Sequence, residues 1–215
     1  MDKIILVGAG GHAKSVVDTL DKLGQFEIVG FVDKGEKGKT VYREYKIIGN
    51  DEDLAALYQS GIKYAFICVG FMGNSFVRNR LYGELKRIGY KLPVIVDETA
   101  IIAPDVQIGE GTYIGKSVVL NSAAHIGRMC IINTSAIVEH ETIVGDFSHI
   151  AVGAVLCGQA EIAENVLVGA NSTVIQNIQV GMESIVGAGS VVIKDIPSGC
   201  TVVGIPAKVL RDIKE

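Results

Sequence analysis

The sequence has little of several features that would define its class at once. Of its 215 residues, 4 are proline and none is tryptophan, and lysine plus arginine number 20 against 24 acids. With 48% hydrophobic residues and no low-complexity run, collagen-like and disordered chains are excluded. A net charge of −4 gives no basic excess to hold nucleic acid or anionic lipid, so we expect neither as a partner.

Cysteine and long hydrophobic runs are also scarce. The four cysteines, Cys68, Cys130, Cys157 and Cys200, have no Cys-x-x-Cys spacing, which favours reduced thiols over a zinc site or disulfides. No apolar stretch approaches the length of a membrane span, about 18 residues, and the N-terminal apolar run is too short for a signal peptide. We therefore expect a cytoplasmic protein without membrane insertion and without a bound metal.

The first half of the chain alternates strands with helices. The apolar run Lys3–Val7 enters a glycine turn, and His12–Leu23 then places its apolar side chains on one helical face. Strands alternating with helices predict a parallel sheet, and about 95 residues suffice for half of a doubly wound domain. The further predicted strands are 27–32, 47–48, 64–69 and 93–96, and the further predicted helices are 51–59 and 75–88.

The second half keeps a period of six residues. Sixteen successive positions at this spacing, from Ile102 to Val192, are all aliphatic, and the fifth position of each hexad is small or β-branched. Such a period fits a parallel β-helix, in which each hexad forms one flat side, three hexads form one coil and the aliphatic side chains point inward. We expect the glycine that often follows the aliphatic residue to adopt corner conformations that other residues resist. These glycines are residues 109, 115, 127, 145, 169, 181 and 187.

Several motifs resemble those of a known family. The hexads, followed by Gly204-Ile205-Pro206-Ala207-Lys208, resemble the hexapeptide-repeat acyltransferases, whose β-helix is left-handed. The turn Gly8-Ala9-Gly10-Gly11-His12, with Val138-Glu139-His140-Glu141 and Gly145-Asp146-Phe147-Ser148-His149-Ile150, narrows the resemblance. It is to the bacterial N-acetyltransferases that act on the amino group of UDP-4-amino-4,6-dideoxy sugars, and to the related sialic acid O-acetyltransferase-like proteins.

The resemblance implies a fold, two domains and two substrates. An α/β half-Rossmann domain over 1–98 is expected to bind a UDP-amino-sugar. A left-handed parallel β-helix of hexapeptide repeats over 99–215, with a short C-terminal helix, is expected to bind acetyl-CoA and to carry the catalytic residues. The same resemblance implies a homotrimer with sites between neighbouring β-helices, acting in bacterial glycan biosynthesis.

The glycine turn supports two interpretations. Gly8, Gly10 and Ala13 fit the pattern G-x-G-x-x-G/A after a strand, and Asp33 follows at the end of the next strand, as in dinucleotide-binding proteins. An NAD-dependent oxidoreductase is therefore an alternative, although the half-size sheet and the β-helix argue against it. In the family resembled, the turn holds the nucleotide of the sugar substrate at the helix N-terminus. The residues assigned to this site are Gly8, Gly10, Gly11, His12, Asp33, Lys34 and Gly70, with Lys34 at a position where the family often has a second acid. Asn133, on the coil beside that of His140, is expected to line the sugar pocket.

Acetyl transfer to an amine needs a base that works near neutral pH, and histidine suits that task. His140 lies at an outward position of its hexad between two carboxylates, and the resemblance makes it the general base and Glu141 the acid that orients it. A covalent acetyl-Cys157 is an alternative to direct attack, and His125 has no assigned role. For acetyl-CoA binding the resemblance assigns His149, Gly158, Ala170 and Ala188, with the Gly158 N–H facing the thioester oxygen.

Two further alternatives stay open at this point. The acceptor can be a sugar hydroxyl, as in an O-acetyltransferase acting on sialic acid or another sugar, in place of an amine. The chain can also be a β-helix scaffold without activity, although folding alone does not require the charges of Glu139-His140-Glu141.

Overall fold

The computed structural model describes residues 1–73 and 75–212, and the chain divides into two compact units. The first comprises Met1–Gly70 and Phe76–Ile95, and the second comprises Phe71–Ser75 and the chain from Val96 onward. Within the described ranges, no helix has both the length and the hydrophobicity required to cross a bilayer.

The first unit is an α/β unit whose mainly parallel sheet confirms the predicted alternation, but the predicted strand 93–96, observed as Ile95–Val96, is not part of this sheet. Its elements are β1 (Asp2–Val7), α1 (Gly11–Leu23), β2 (Phe26–Val32), β3 (Thr40–Tyr42), β4 (Tyr45–Gly49), a 3₁₀ turn (Asp51–Asp53), α2 (Leu54–Gln59), β5 (Tyr64–Ile67) and α3 (Phe76–Ile88), and β6 (Ile95–Val96) follows at the division between the units. The strand order is β3-β4-β2-β1-β5, and β1 is parallel to both β2 and β5. Because the chain leaves β1 towards β2 and returns to its other side at β5, the turn after β1 lies where the strand order reverses.

Hydrophobic burial explains these elements. Helix α1 buries Val16, Val17 and Leu20 on one face, and Gly24 ends it in the left-handed conformation with φ of 58°. The antiparallel hairpin of β3 and β4 was missed by the sequence pattern, because none of the three residues of β3 is buried.

The second unit is a parallel β-helix built from two-residue strands. Among the described residues, each of the sixteen predicted aliphatic positions is the second residue of one such strand. Through the coils, strands that lie 18 residues apart pair in parallel, as Val119 does with Ile137, which confirms three hexads per coil. Face 1 contains 101–102, 119–120, 137–138, 155–156, 173–174 and 191–192; face 2 contains 107–108, 125–126, 143–144, 161–162 and 179–180; face 3 contains 113–114, 131–132, 149–150, 167–168 and 185–186.

The interior of the β-helix is apolar and closely packed. The aliphatic side chains from Ile114 to Val192 are at most 1% exposed, and Ile102 and Ile108 of the first coil are partly buried. From Thr112 onward the fifth residues of the hexads are also buried, and those with hydroxyls are hydrogen-bonded. Ser148 Oγ, for example, donates to the carbonyl of Ala163 at 2.8 Å.

The predicted role of the hexad glycines was wrong. The left-handed conformation falls two residues after them, as at Phe147, with φ of 59°, and Asn171, with φ of 54°. The glycines instead allow close approach of the next coil. A Cβ at Gly145 would lie 2.6 Å from the carbonyl carbon of Ala163, and one at Gly169 would lie 2.6 Å from the amide nitrogen of Ala188.

The predicted short C-terminal helix was also wrong for the residues that the structure describes. Cys200–Gly204 and Ala207–Asp212 form an antiparallel hairpin that extends face 3. The reason is that Thr201, Val202 and Val209 favour strands and that Val202 is fully buried against the end of the β-helix. Residues 213–215 lie outside the described residues.

Candidate active site

The turns that follow the strands of face 1 form one edge of the β-helix, which we call corner 1. His140 and Glu141 lie in one of these turns. The His140 Nδ1 atom is 3.2 Å from Glu141 Oε2. An ionised carboxylate can only accept hydrogen bonds, so the proton of the neutral ring lies on Nδ1 and the lone pair lies on Nε2. This is the arrangement in which Nε2 can accept a proton from a substrate.

The Nε2 atom of His140 faces Gly158 on the next coil at corner 1. A Cβ at Gly158 would lie 2.5 Å from His140 Nε2 and 2.6 Å from Cε1, closer than real Cβ contacts. The absence of a side chain at Gly158 therefore leaves the ring in place and its basic nitrogen accessible.

Two groups at corner 1 bear on the chemistry that this site supports. The Gly158 amide N–H donates to no acceptor in the part of the chain that the structure describes, so it is available to a substrate oxygen. Burial and the Glu139 carboxylate raise the pKa of the Cys157 thiol above its ordinary value, which disfavours the thiolate. Cys157 is therefore poorly suited to act as a nucleophile.

The structure brings Asn133 and His149 together, away from corner 1. His149 Nδ1 donates to the carbonyl of Phe71 at 2.8 Å, and Nε2 lies 3.2 Å from the Asn133 side-chain nitrogen. The His149 residue is 8% exposed on face 3. His149 thus holds the Phe71 backbone against face 3, an interaction that the sequence pattern did not predict. The assigned contact of His149 with acetyl-CoA stays a prediction.

The turns that follow the strands of face 3 form another edge of the β-helix, which we call corner 3. Ala170 and Ala188 lie in two of these turns. They stack on successive coils, where the Gly189 N–H donates to the Ala170 carbonyl at 2.8 Å. Face 1 runs between corner 3 and corner 1. One copy of the chain therefore places these alanines and His140 on opposite borders of face 1.

The glycines of the first turn have different roles. Gly8 has a φ of +100°, and a Cβ there would lie 2.8 Å from Val69 Cγ2, so this glycine is required by the fold. At Gly10 and Gly11 a Cβ would meet no heavy atom within 4 Å among the described residues. Gly10 and Gly11 are both exposed and begin helix α1, whose amides attract anions.

Asp33 braces this turn. One carboxylate oxygen accepts from the Ala9 N–H at 2.8 Å and the other accepts from the Gly35 N–H at 3.3 Å. Lys34 and Gly70 are exposed, and His12 is half-buried in the first turn of α1. The structure thus gathers the predicted nucleotide residues of the first unit at the end of β1, whereas Asn133 belongs to the second unit.

Sequence reasoning also missed Gln159, whose side-chain amide contacts Glu141 at corner 1. Because Gln159 follows Glu141 by 18 residues, the length of one coil, the repeat could have predicted this contact. No group of three or more His, Cys, Asp or Glu side chains arranged to hold a metal ion occurs among the described residues.

Two sequence comparisons bear on this site. Residues 3–85 match the family model described as the PglD N-terminal domain. A 2,3,4,5-tetrahydropyridine-2,6-dicarboxylate N-acetyltransferase from Clostridium perfringens is 37% identical over 75 residues, which are 31% of this chain and 32% of that protein. The match therefore spans about a third of the length of this curated relative.

Solved structures resemble the whole chain. The acetyltransferase domain of PglB from Neisseria gonorrhoeae is 32% identical with a TM-score of 0.90, covering 98% of this chain and 100% of that one, and it has also been solved with acetyl coenzyme A. PerB from Caulobacter crescentus, in complex with CoA and GDP-perosamine, is 28% identical with a TM-score of 0.81 and 98% coverage of both chains. These similarities confirm the predicted fold, a Rossmann-like unit followed by a left-handed β-helix.

Proposed function

Because this chain belongs to the hexapeptide-repeat sugar acetyltransferase family, we propose that it moves an acetyl group from acetyl-CoA to the amino group of a nucleotide-linked amino sugar. We propose a UDP-linked 4-amino-4,6-dideoxy sugar as the acceptor and bacterial glycan biosynthesis as the setting. An enzyme that acetylates a sugar hydroxyl is the alternative. The cytoplasmic location expected from the sequence stays a prediction.

The observation that carries this proposal is the His140–Glu141 pair, with Nε2 of His140 facing Gly158. In the proposed step, the amine nitrogen attacks the thioester carbon while its proton passes to Nε2. The Gly158 N–H donates to the developing oxyanion. The carbon–nitrogen bond forms, the carbon–sulfur bond breaks, and CoA leaves as a thiolate that takes up a proton.

Mass spectrometry of the products tests the reaction and the acceptor. The protein is incubated with acetyl-CoA and a panel of UDP- and GDP-linked amino sugars and their hydroxyl analogues. We expect acetylated product from an amino sugar, and a UDP-linked one in particular. Acetylation of the hydroxyl analogues alone would favour the O-acetyltransferase, and a nicotinamide nucleotide that binds while no sugar nucleotide does would favour an oxidoreductase.

The open space around Gly10 supports the proposed nucleotide site. Gly10→Val is expected to weaken UDP-sugar binding at least about tenfold, or about 1.4 kcal/mol, because the new side chain enters the path of the phosphates. Since Gly10 has an ordinary φ of −81° and its Cβ would meet nothing within 4 Å in the described protein, the fold should tolerate the change. Calorimetry measures both ligands, and acetyl-CoA binding should be unchanged.

The matched control for Gly10 is Gly83→Val in α3, where a Cβ also meets nothing within 4 Å among the described residues. This variant should bind the UDP-sugar as the wild type does. Equal loss of both ligands in folded Gly10→Val protein would make the turn a structural feature alone.

We also propose a homotrimer in which face 1 packs against the next copy. The outward residues of face 1 are mostly apolar and half-buried, in contrast to the mainly polar outward residues of face 2. Packing through face 1 would bring corner 1 of one copy towards corner 3 of the next, so that His140 and Ala170 could contact one acetyl-CoA. The outward residues of face 1 are Ile101, Val119, Ile137, Val155, Thr173 and Val191.

Sedimentation equilibrium tests the trimer through Val155. Val155→Asp places a carboxylate in the proposed contact, where its desolvation is costly, so the trimer should dissociate towards the 22.8 kDa monomer. Gln107→Asp on exposed face 2 is the control and should sediment as the wild type does. A wild-type protein that sediments as a monomer contradicts the proposal.

A further inference from the structure

The carboxylate of Glu141 has a second partner besides His140. The Gln159 side-chain nitrogen donates to Glu141 Oε2 at 3.1 Å, and the same oxygen lies 3.2 Å from His140 Nδ1. Since the ionised carboxylate only accepts hydrogen bonds, the amide nitrogen of Gln159, and not its oxygen, must face it. The three side chains therefore form one chain of hydrogen bonds that ends at the ring nitrogen Nδ1.

The backbone of the β-helix places Gln159 there. Gln159 lies one coil, 18 residues, after Glu141, and both residues occupy the left-handed position of corner 1, with φ of 61° and 57°. The Gln159 backbone N–H also donates to the His140 carbonyl at 3.0 Å. Stacking of the two coils therefore aligns the side chains of Glu141 and Gln159.

Exposure explains why Glu141 needs this partner. The side chains of His140 and Glu141 are 57% and 56% exposed in the chain. A contact between two exposed side chains contributes little, because it must restrict flexible side chains that water can also hydrogen-bond. A further hydrogen bond from a neighbouring coil limits the rotamers of the carboxylate and keeps its oxygen at Nδ1.

We propose that Gln159 is a positioning residue, which holds the Glu141 carboxylate so that His140 keeps its proton on Nδ1 and its lone pair on Nε2. Its catalytic consequence rests on the proposed acetyl transfer with His140 as base. Its structural consequence, the tautomer of the His140 ring, does not depend on that reaction.

Nitrogen-15 NMR of histidine-labelled protein, at a pH where the ring is neutral, measures the tautomer directly. We expect the Nδ1–H form of His140 in the wild type and a shift towards the Nε2–H form in Gln159→Leu. The matched control is Gln179→Leu, because Gln179 makes the same kind of contact, from its side-chain nitrogen to Glu161 Oε2 at 3.1 Å, on face 2. Gln179→Leu should leave the His140 signals unchanged, and an unchanged tautomer in Gln159→Leu overturns the proposal.

Steady-state kinetics tests the catalytic consequence. Gln159→Leu should lower kcat roughly tenfold, on the order of one hydrogen bond to a charged group, with KM for both substrates little changed. If Gln159 acts through Glu141, the same substitution should add little to the loss in a Glu141→Gln background. Full, multiplicative losses in the double variant would instead indicate an independent structural role and would overturn the proposal.

The two measurements separate this proposal from the proposed function. A tautomer shift in Gln159→Leu, in a protein whose wild type acetylates none of the sugars, would support the positioning role and refute the function. Acetylation with an unaltered tautomer and unaltered kcat in Gln159→Leu would support the function and refute the positioning role.

Discussion

Replacement of His140 by alanine is expected to lower kcat by about 10² to 10⁴, the usual contribution of a positioned general base. KM for both substrates should change little, because the imidazole accepts the proton in the transition state and adds little to ground-state binding. Steady-state rates of acetyl-CoA consumption, with the UDP-amino-sugar as acceptor, measure the effect. The hydrogen bond from Nδ1 to Glu141 at 3.2 Å, which leaves Nε2 as the basic atom, is the reason for this expectation.

Two further variants serve as comparisons for His140→Ala. Glu141→Gln should lower kcat less than His140→Ala does, because the carboxylate orients and polarises the ring without taking the proton itself. His125→Ala should leave kcat nearly unchanged, because this histidine is exposed on face 2 and has no assigned role. If His140→Ala kept more than about a tenth of the wild-type kcat, a general-base role for this residue would be untenable.

The fold was largely predictable because the β-helix repeats its physical constraint in every hexad. An inward aliphatic residue every six positions is a condition that each coil must satisfy, and its register continues unbroken from Ile102 to Val192. The left-handed sense was implied by resemblance only. Local roles were less predictable, since the hexad glycines serve close approach between coils and not the positive φ found two residues later.

The contact between His140 and Glu141 was predictable because the two residues are adjacent in sequence. Contacts between coils depend on side chains 18 residues apart, which is why Gln159 was missed. The bond from His149 to Phe71 joins residues 78 positions apart, and no local motif encodes it. The C-terminal hairpin is stabilised by its pairing with the last strand of face 3, a tertiary interaction that a helix prediction from family resemblance ignored.

The contact between Gly158 and the His140 ring gives the second large effect. Gly158→Ala is expected to lower kcat by about 10², because a misplacement of about 1 Å in a catalytic group costs about that factor. A Cβ at this position would lie 2.5 Å from Nε2, so the ring must move away from the position in which its basic atom is accessible. The same methyl group would also narrow the space beside the Gly158 N–H. Measurement of kcat, with calorimetry of acetyl-CoA binding, separates displacement of the base from loss of the donor substrate.

The double variant distinguishes the two possible effects of the Gly158 substitution. If the alanine acts by displacing His140, then Gly158→Ala added to His140→Ala should cause little further loss, because the ring it displaces is already absent. If it acts by blocking acetyl-CoA, the loss should persist in the double variant and appear as weaker binding in calorimetry. Near-wild-type kcat in a folded Gly158→Ala protein would mean that the ring moves away without loss of function, which would contradict the prediction that its place beside Gly158 is required.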